Sequence, residues 1–258
     1  MGYCLWIVIG SMANRDSQQQ DSVNFQRAFY NKHWRDAEHV NMLKTARCAA
    51  IINAIAKLKI YQPTILDLGC GSGWLAGILG ILGPTTGVEL SDEAVEKASS
   101  RYPYVKFFAA NFFEWEGPSE RFDVVVSQEV IEHVEDQAGY LKLVHHVLKP
   151  GGYLILTTPN PRTFDAMPDK VRESWSRQPI ENWIPIVQLK KMIEPHFAIN
   201  QLTTIIPGYG VKGSYRFVNS RRVKNVFGVV RLGTAFEYLR LKFGYGLHTL
   251  VVAYKFNL

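Results

Sequence analysis

The sequence predicts an α/β domain built on a mostly parallel sheet. Three observations predict it. Short apolar runs recur along the middle of the chain, at TILDLG (64–69), TTGVEL (85–90), VKFFAA (105–110), FDVVVS (122–127) and YLILTT (153–158). Stretches with helical spacing separate them. The runs are also nearly continuous rather than alternating, which is the pattern of strands covered on both faces by crossover helices.

The elements follow in order. Residues 17–60 read as helical, because Met42, Ala46, Ala49, Ala50, Ile52, Ile55 and Ala56 recur at three and four and Gln62-Pro63 stops the pattern. Pro150-Gly151-Gly152 is a turn feeding the strand at 153. After Pro159-Asn160-Pro161 the character changes. Residues 161–187, rich in Pro, Arg and Trp, read as a loop or lid, Gln188–Ile193 as helical, Ala198–Ile206 as extended and Leu247–Tyr254 as a last β-rich run. The stretch 207–246 is longer than a connection within a compact domain needs, so it reads as a C-terminal cap insertion. Without repeats or a clear linker, residues 1–258 form a single domain. It has an N-terminal helical segment (17–60), a core (61–160) and an acceptor-side lid, cap insertion and last strands (161–258).

At 258 residues the chain can bury a sizeable core, and 47% hydrophobic with 20% charged residues is ordinary for a soluble globular protein. Cys4, Cys48 and Cys70 show no CxxC or Cys/His spacing, which disfavours a disulfide framework or a zinc cluster and fits a reducing compartment. The apolar run Tyr3–Ile9 is too short to span a bilayer and has no basic segment before it, although Ser11-Met12-Ala13 faintly resembles a cleavage site. Met12 is an alternative start, and the expected location is the cytoplasm. The net charge of +6 is uneven: from 211 onward nine Lys/Arg face Glu237 alone, giving +8 there and −2 for the remainder. That points to an anionic partner or surface, or to a solvated basic face.

The most informative stretch is ILDLGCGSGWLA, residues 65–76. A strand ends at Leu68, and Gly69, Gly71 and Gly73 stand at alternate positions before a helix, so backbone N–H groups can approach a ligand closely. Glu89 ends the next strand, placed to accept hydrogen bonds from ribose hydroxyls. The glycines run GxGxG with Asp67 two before the first, not the GxGxxG of a nicotinamide dehydrogenase. In this it resembles the class I S-adenosylmethionine-dependent methyltransferases. VLKPGGYLILTTPN (147–160) matches that family's fifth-strand region, and the resemblance covers roughly 60–160 and the last strand.

The resemblance implies a Rossmann-like fold with a seven-stranded sheet, its last strand antiparallel, and S-adenosyl-L-methionine as cofactor. Gly69, Cys70, Gly71 and Gly73 would face its methionine part, Glu89 and Leu90 its ribose, and Asn111 and Phe112 its adenine. Gln128 would complete the wall, and Asp67 would order the glycine loop or reach the cofactor through water. An aromatic N-terminal helix closing over cofactor is common in the family, so Tyr30 and Trp34 in NFQRAFYNKHWRDA (24–37) join the candidates. Aromatics at that spacing also describe a packed helix face.

SQEVIEHVED (127–136) places Glu129, Glu132 and His133 where the fourth strand ends. If a helix starts near 129, the three lie on neighbouring faces of one turn, and three readings stay open. The carboxylates favour a helix N-terminus. Alternatively, E-x-x-E-H resembles the ubiquinone-biosynthesis O-methyltransferases and the small-RNA 2′-O-methyltransferases, which implies Mg²⁺ or Mn²⁺ held by Glu129, Glu132 and His133. Thirdly, His133 is a general base, with Glu132 beside it, since an unperturbed imidazole pKa near 6.5 suits proton removal at neutral pH.

The expected activity is methyl transfer to a hydroxyl of a small molecule, anionic or lipid-like. N- or C-methylation, RNA 2′-O-methylation and a non-catalytic cofactor-binding role are the alternatives. Nucleic acid is opposed by the lack of a second histidine in QPIENWIPIVQL (178–189) and of an RNA module. In VFGVVRLGTAFEYLRLKF (226–243), Val229, Leu232, Phe236, Leu239 and Phe243 recur at helical spacing among Arg231, Arg240 and Lys242. This reads as a cap helix packing on the acceptor pocket or as a peripheral membrane contact.

Overall fold

The computed structural model describes residues 21–35, 40–115, 117, 119–173, 175, 178–220, 222–223, 225 and 233–256. The run Tyr3–Ile9, Cys4, Met12, and Val229, Arg231 and Leu232 of the cap lie outside the described residues.

The N-terminal segment is two helices, α1 (21–35) and α2 (Met42–Leu58). The break is local chemistry: the Asn41 side chain accepts the Lys44 amide at 2.9 Å and caps α2, and Lys59 ends it in the left-handed region. Then come β1 (Ile65–Leu68), α3 (Trp74–Leu82), β2 (Thr85–Glu89), α4 (Asp92–Arg101), β3 (Lys106–Ala109) and β4 (Phe122–Gln128). A 3₁₀ turn (Ile131–His133), α5 (Gln137–Val147), β5 (Leu148–Pro159), α6 (Pro161–Ala166), α7 (Asp169–Glu173), α8 (Ile186–Ile193) and β6 (Phe197–Pro207) follow. The chain closes with α9 (Gly213–Val218), a last helix (Gly233–Lys242) and β7 (Gly246–Lys255).

The strands form one seven-stranded sheet in the order β3-β2-β1-β4-β5-β7-β6, parallel through β5, with β7 antiparallel to both neighbours. The continuous apolar runs now have a physical reason. Leu66, Val125, Leu154 and Leu156 face a core shared with α5 and α8, while Ile65, Val124, Val126 and Ile155 face one shared with α2 and α3. Successive residues point to opposite faces, and both faces are covered.

Three expectations are corrected. Residues 161–187, read as a loop or lid, hold α6, α7 and the start of α8, with Pro161 at the first turn of α6. The turn at Pro150–Gly152 lies inside β5, which begins at Leu148 opposite Phe122; a register shift between Phe122 and Val124 absorbs it. No α-helix starts near 129. Glu129 sits in the left-handed region at φ 57°, the 3₁₀ turn follows, and α5 starts at Gln137, its end capped by Asp136 accepting the Gly139 amide at 2.7 Å. The capping reading of Glu129 and Glu132 therefore fails: the helix has its own cap, one turn further on.

Of the stretch 207–246, α9 packs on α6 and the last helix packs on β6, at the C-terminal edge of the sheet. Asn160 ties it down: its Nδ2 donates to the carbonyls of Gly244 and Gly246 at 3.0 and 2.8 Å. Buried Arg240 donates to Asn219 Oδ1 and to the Gly208 carbonyl, and also pairs with Glu237. Among the described residues no helix is long and apolar enough to cross a membrane.

Asn160→Ala would remove two hydrogen bonds, each worth about 0.5–1.5 kcal/mol, while Tyr215 Oη and Thr163 Oγ1 still reach the Gly244 and Gly246 carbonyls. The expected result is a lower urea midpoint with an unchanged slope; an unaltered midpoint would show that Asn160 does not anchor the cap.

Candidate active site

A cavity of about 670 Å³ opens where β1, β2 and β4 end, within the range of small-molecule sites, roughly 300–1,000 Å³. Its floor is the glycine loop. Gly69, Gly71 and Gly73 all have positive φ, and at Gly71 a side chain would also run into the ring of Trp34. Trp34 lies over the loop and lines the cavity, so α1 closes this end. The cavity face of α1 is Ser22, Gln26, Tyr30, His33 and Trp34, a stripe at helical spacing, while Phe25 points to solvent. Tyr30 Oη donates to Gln178 Oε1 at 2.8 Å, joining α1 to the loop before α8.

The acids of the wall are buried, and each is stabilised differently. Glu89 accepts the amides of Gly71 and Ser91, both at 3.0 Å. Burial raises its pKa, and these amides oppose the rise. Asp67 has only the Ala76 amide to oppose burial and the nearby Glu89 charge, so its pKa is pushed up to about 8. Its Oδ2 has no partner. Burial would raise Glu129 too, but His248 and Arg47 outweigh it and hold the carboxyl below its usual value. Glu129 Oε2 lies 2.8 Å from His248 Nδ1 and 4.0 Å from Arg47 Nη1. Arg47 Nη1 is 3.2 Å from His248 Nε2.

Glu132 and His133 part company. Glu132 is fully buried and accepts from Thr158 Oγ1 at 2.9 Å. Burial and the Glu129 charge raise its pKa well above the carboxylate range, leaving it protonated. His133 lines the cavity, its Nδ1 2.7 Å from the Ile180 carbonyl. That carbonyl accepts only from an N–H, so the ring proton sits on Nδ1, and the Nε2 lone pair lies 3.8 Å from Glu132 Oε1. Burial lowers the His133 pKa, with Ile180, Glu181 and Glu129 opposing.

The methyltransferase domain family matches residues 32–194 of this chain. The chain belongs to that family. It is 38% identical over 101 residues to a protein of Mycobacterium tuberculosis named a probable S-adenosylmethionine-dependent methyltransferase, covering 39% of this chain and 37% of that one. It is 38% identical over 124 residues to the human mitochondrial ubiquinone biosynthesis O-methyltransferase, covering 42% of this chain and 34% of that one. The chain thus spans little more than a third of the length of these relatives. The N-methyltransferase NodS of Bradyrhizobium japonicum, solved with S-adenosylhomocysteine, shares the fold at a TM-score of 0.61 and 12% identity, over 89% of this chain and 98% of that one. The sheet is accordingly the Rossmann-like class I methyltransferase sheet.

Most positions singled out from the sequence meet at one cavity. Asp67, Gly69, Cys70, Gly71, Glu89, Leu90, Asn111, Phe112, Gln128, Glu129, His133, Tyr30 and Trp34 all line it. Gly73 does not; it starts α3 behind the loop, against Ala98 and Phe107. Asn111 uses its amide oxygen to cap the Phe113 amide at 3.1 Å, keeping one lone pair. Glu132 does not line the cavity, but its Oε1 lies 3.8 Å from His133 Nε2, beside the imidazole it was expected to act with. Among the described residues no group of three His, Cys, Asp or Glu side chains could hold a metal ion, so the triad Glu129, Glu132 and His133 is not assembled.

The cap is corrected as well: among the described residues of 207–246, none lines the cavity. Lys44, Arg47, Gln178 and His248 were missed. Lys44 and Arg47, one turn apart on an otherwise apolar helix, were a legible signal; His248, far along the chain, offered none.

Asp67→Asn tests the neutral state. The acid titrates at 3.8 by default and at about 8 in the fold, so it favours the fold below 3.8 and withdraws that support as pH rises to about 8. The amide should flatten the fall in stability over that window. An unchanged pH slope would mean that Asp67 is ionised in the fold.

Proposed function

We propose that this protein binds S-adenosylmethionine in the cavity and transfers its methyl group to a hydroxyl of a small molecule, with His133 as the base. The observation that carries the reading is the Nδ1 contact with Ile180, which leaves Nε2 of this cavity-lining residue as the basic nitrogen, with Glu132 Oε1 3.8 Å from it.

The wall suits the cofactor. The Glu89 carboxylate offers about four acceptor positions against the amides of Gly71, Ser91 and Leu90, which leaves one for a ribose hydroxyl. Gln128 Oε1 and Asp67 Oδ2 are buried acceptors without partners. Phe112 offers an apolar face for adenine, and NodS binds S-adenosylhomocysteine on the same fold. When bound, the cofactor supplies an electrophilic methyl group on a positively charged sulfur. The receiving hydroxyl must lose one proton, and His133 Nε2 accepts it while Nδ1–H stays on Ile180. Lys44 and Arg47 suit an anionic group on the acceptor or the cofactor carboxylate. Oxygen as the receiving atom is supported by the name of the human relative, matched over a third of its length. The Mg²⁺ or Mn²⁺ reading is not carried forward, because Glu132 points at Thr158 and is held protonated.

Titration calorimetry should show S-adenosylhomocysteine binding, lost in Glu89→Lys. His133→Ala should slow labelled-methyl transfer to small phenols by about 10²–10⁴-fold with cofactor affinity kept. Because burial lowers the His133 pKa, the rate should hold through pH 6.5 and fall only at lower pH, where the base becomes protonated. Undiminished turnover in His133→Ala would refute the base.

A further inference from the structure

The apolar positions of the last helix do not face the cavity. Leu239 and Phe243 are 45% and 66% exposed, as is Tyr238 at 64%, and Phe217 on α9 is exposed at 70%. They belong to one surface. Arg162 joins the two elements, Nη1 donating to the Phe243 carbonyl at 2.9 Å and Nη2 lying 3.5 Å from Ser214 Oγ, one turn before Phe217. Buried Arg240 fixes the last helix to Asn219 at the end of α9. These aromatics are therefore held on a rigid base.

The charge around them is of one sign. Arg216, Arg222 and Lys242 are exposed beside the aromatics. The acids within reach are engaged: Glu237 pairs with Arg240, and Asp169 with Lys212. Among the described basic residues from 211 onward, Lys212, Arg240 and Lys255 pair with acids, while Arg216 and Lys242 stand next in sequence to the exposed Phe217 and Phe243. Exposed aromatics interleaved with Lys and Arg match the boundary of an anionic bilayer, where rings enter the acyl edge and cations meet headgroup phosphates.

We propose that this face of the cap insertion docks on an anionic lipid surface. A water-soluble protein partner would not require the positive excess, whereas each Lys or Arg near such a membrane adds roughly fivefold to the partition. The cap lies at the same sheet edge as the cavity, since Pro159 at the end of β5 pairs with His248 at the start of β7. Docking there would bring the cavity near the bilayer. The inference does not depend on methyl transfer.

The test is co-sedimentation of the full chain with vesicles of phosphatidylcholine alone or with phosphatidylglycerol. Binding should require phosphatidylglycerol and weaken at high salt. In Phe217→Asp/Phe243→Asp the partition should drop at least tenfold, with the thermal midpoint and S-adenosylhomocysteine binding unchanged. Equal binding to neutral vesicles, no binding at all, or an unaffected double variant would overturn the proposal. So would a dimer in light scattering that the same substitutions dissociate, which would give the face to a second copy.

Discussion

The Glu89 carboxylate, accepting the amides of Gly71 and Ser91, is the interaction on which the site rests. One side chain at the end of β2 fixes the loop after β1 and the start of α4. It can do so because a glycine loop offers amides rather than side chains, and because a buried carboxylate must find donors. The bond also aims the remaining lone pair into the cavity. The same constraint acts on the neighbouring acids with different outcomes. Asp67, with few donors, is neutralised, and Glu129 keeps its charge through His248 and Arg47. One wall thus holds a hydrogen-bonded acid, a protonated acid and an ion-paired acid.

The stretch 127–136 shows how little sequence adjacency says about shared purpose. A left-handed residue followed by a 3₁₀ turn sends the three side chains in different directions. Glu129 goes to α2 and β7, Glu132 to the buried end of β5, and His133 to the loop before α8. A regular helix would have kept them on neighbouring faces. Within five residues the backbone holds an ion-paired acid, a buried acid and an imidazole whose Nε2 lies 3.8 Å from that buried acid.

The N-terminal helix and the cap divide the remaining work. Helix α1 is tied to the cofactor side through Ser91 and to the opposite wall through Gln178. Its tyrosine and tryptophan were legible as candidates through the family resemblance, since their spacing alone equally describes a packed helix face. The cap was misread for the same kind of reason. Helical spacing of apolar residues says that they share a face, but not what that face meets, and here Leu239 and Phe243 meet solvent.

By itself the sequence determined the strands, their parallel order through β5 and the glycine loop with Glu89. Those features are short-range: apolar runs, turn residues and fixed spacings carry them. Only the tertiary structure decided where Glu132 points, that Arg47 and His248 hold Glu129, and which nitrogen of His133 is the basic one. Arg47 and His248 are 201 residues apart and meet across α2 and β7. Protonation in a dry wall depends on such distant neighbours, because low dielectric makes each nearby charge and each missing donor count.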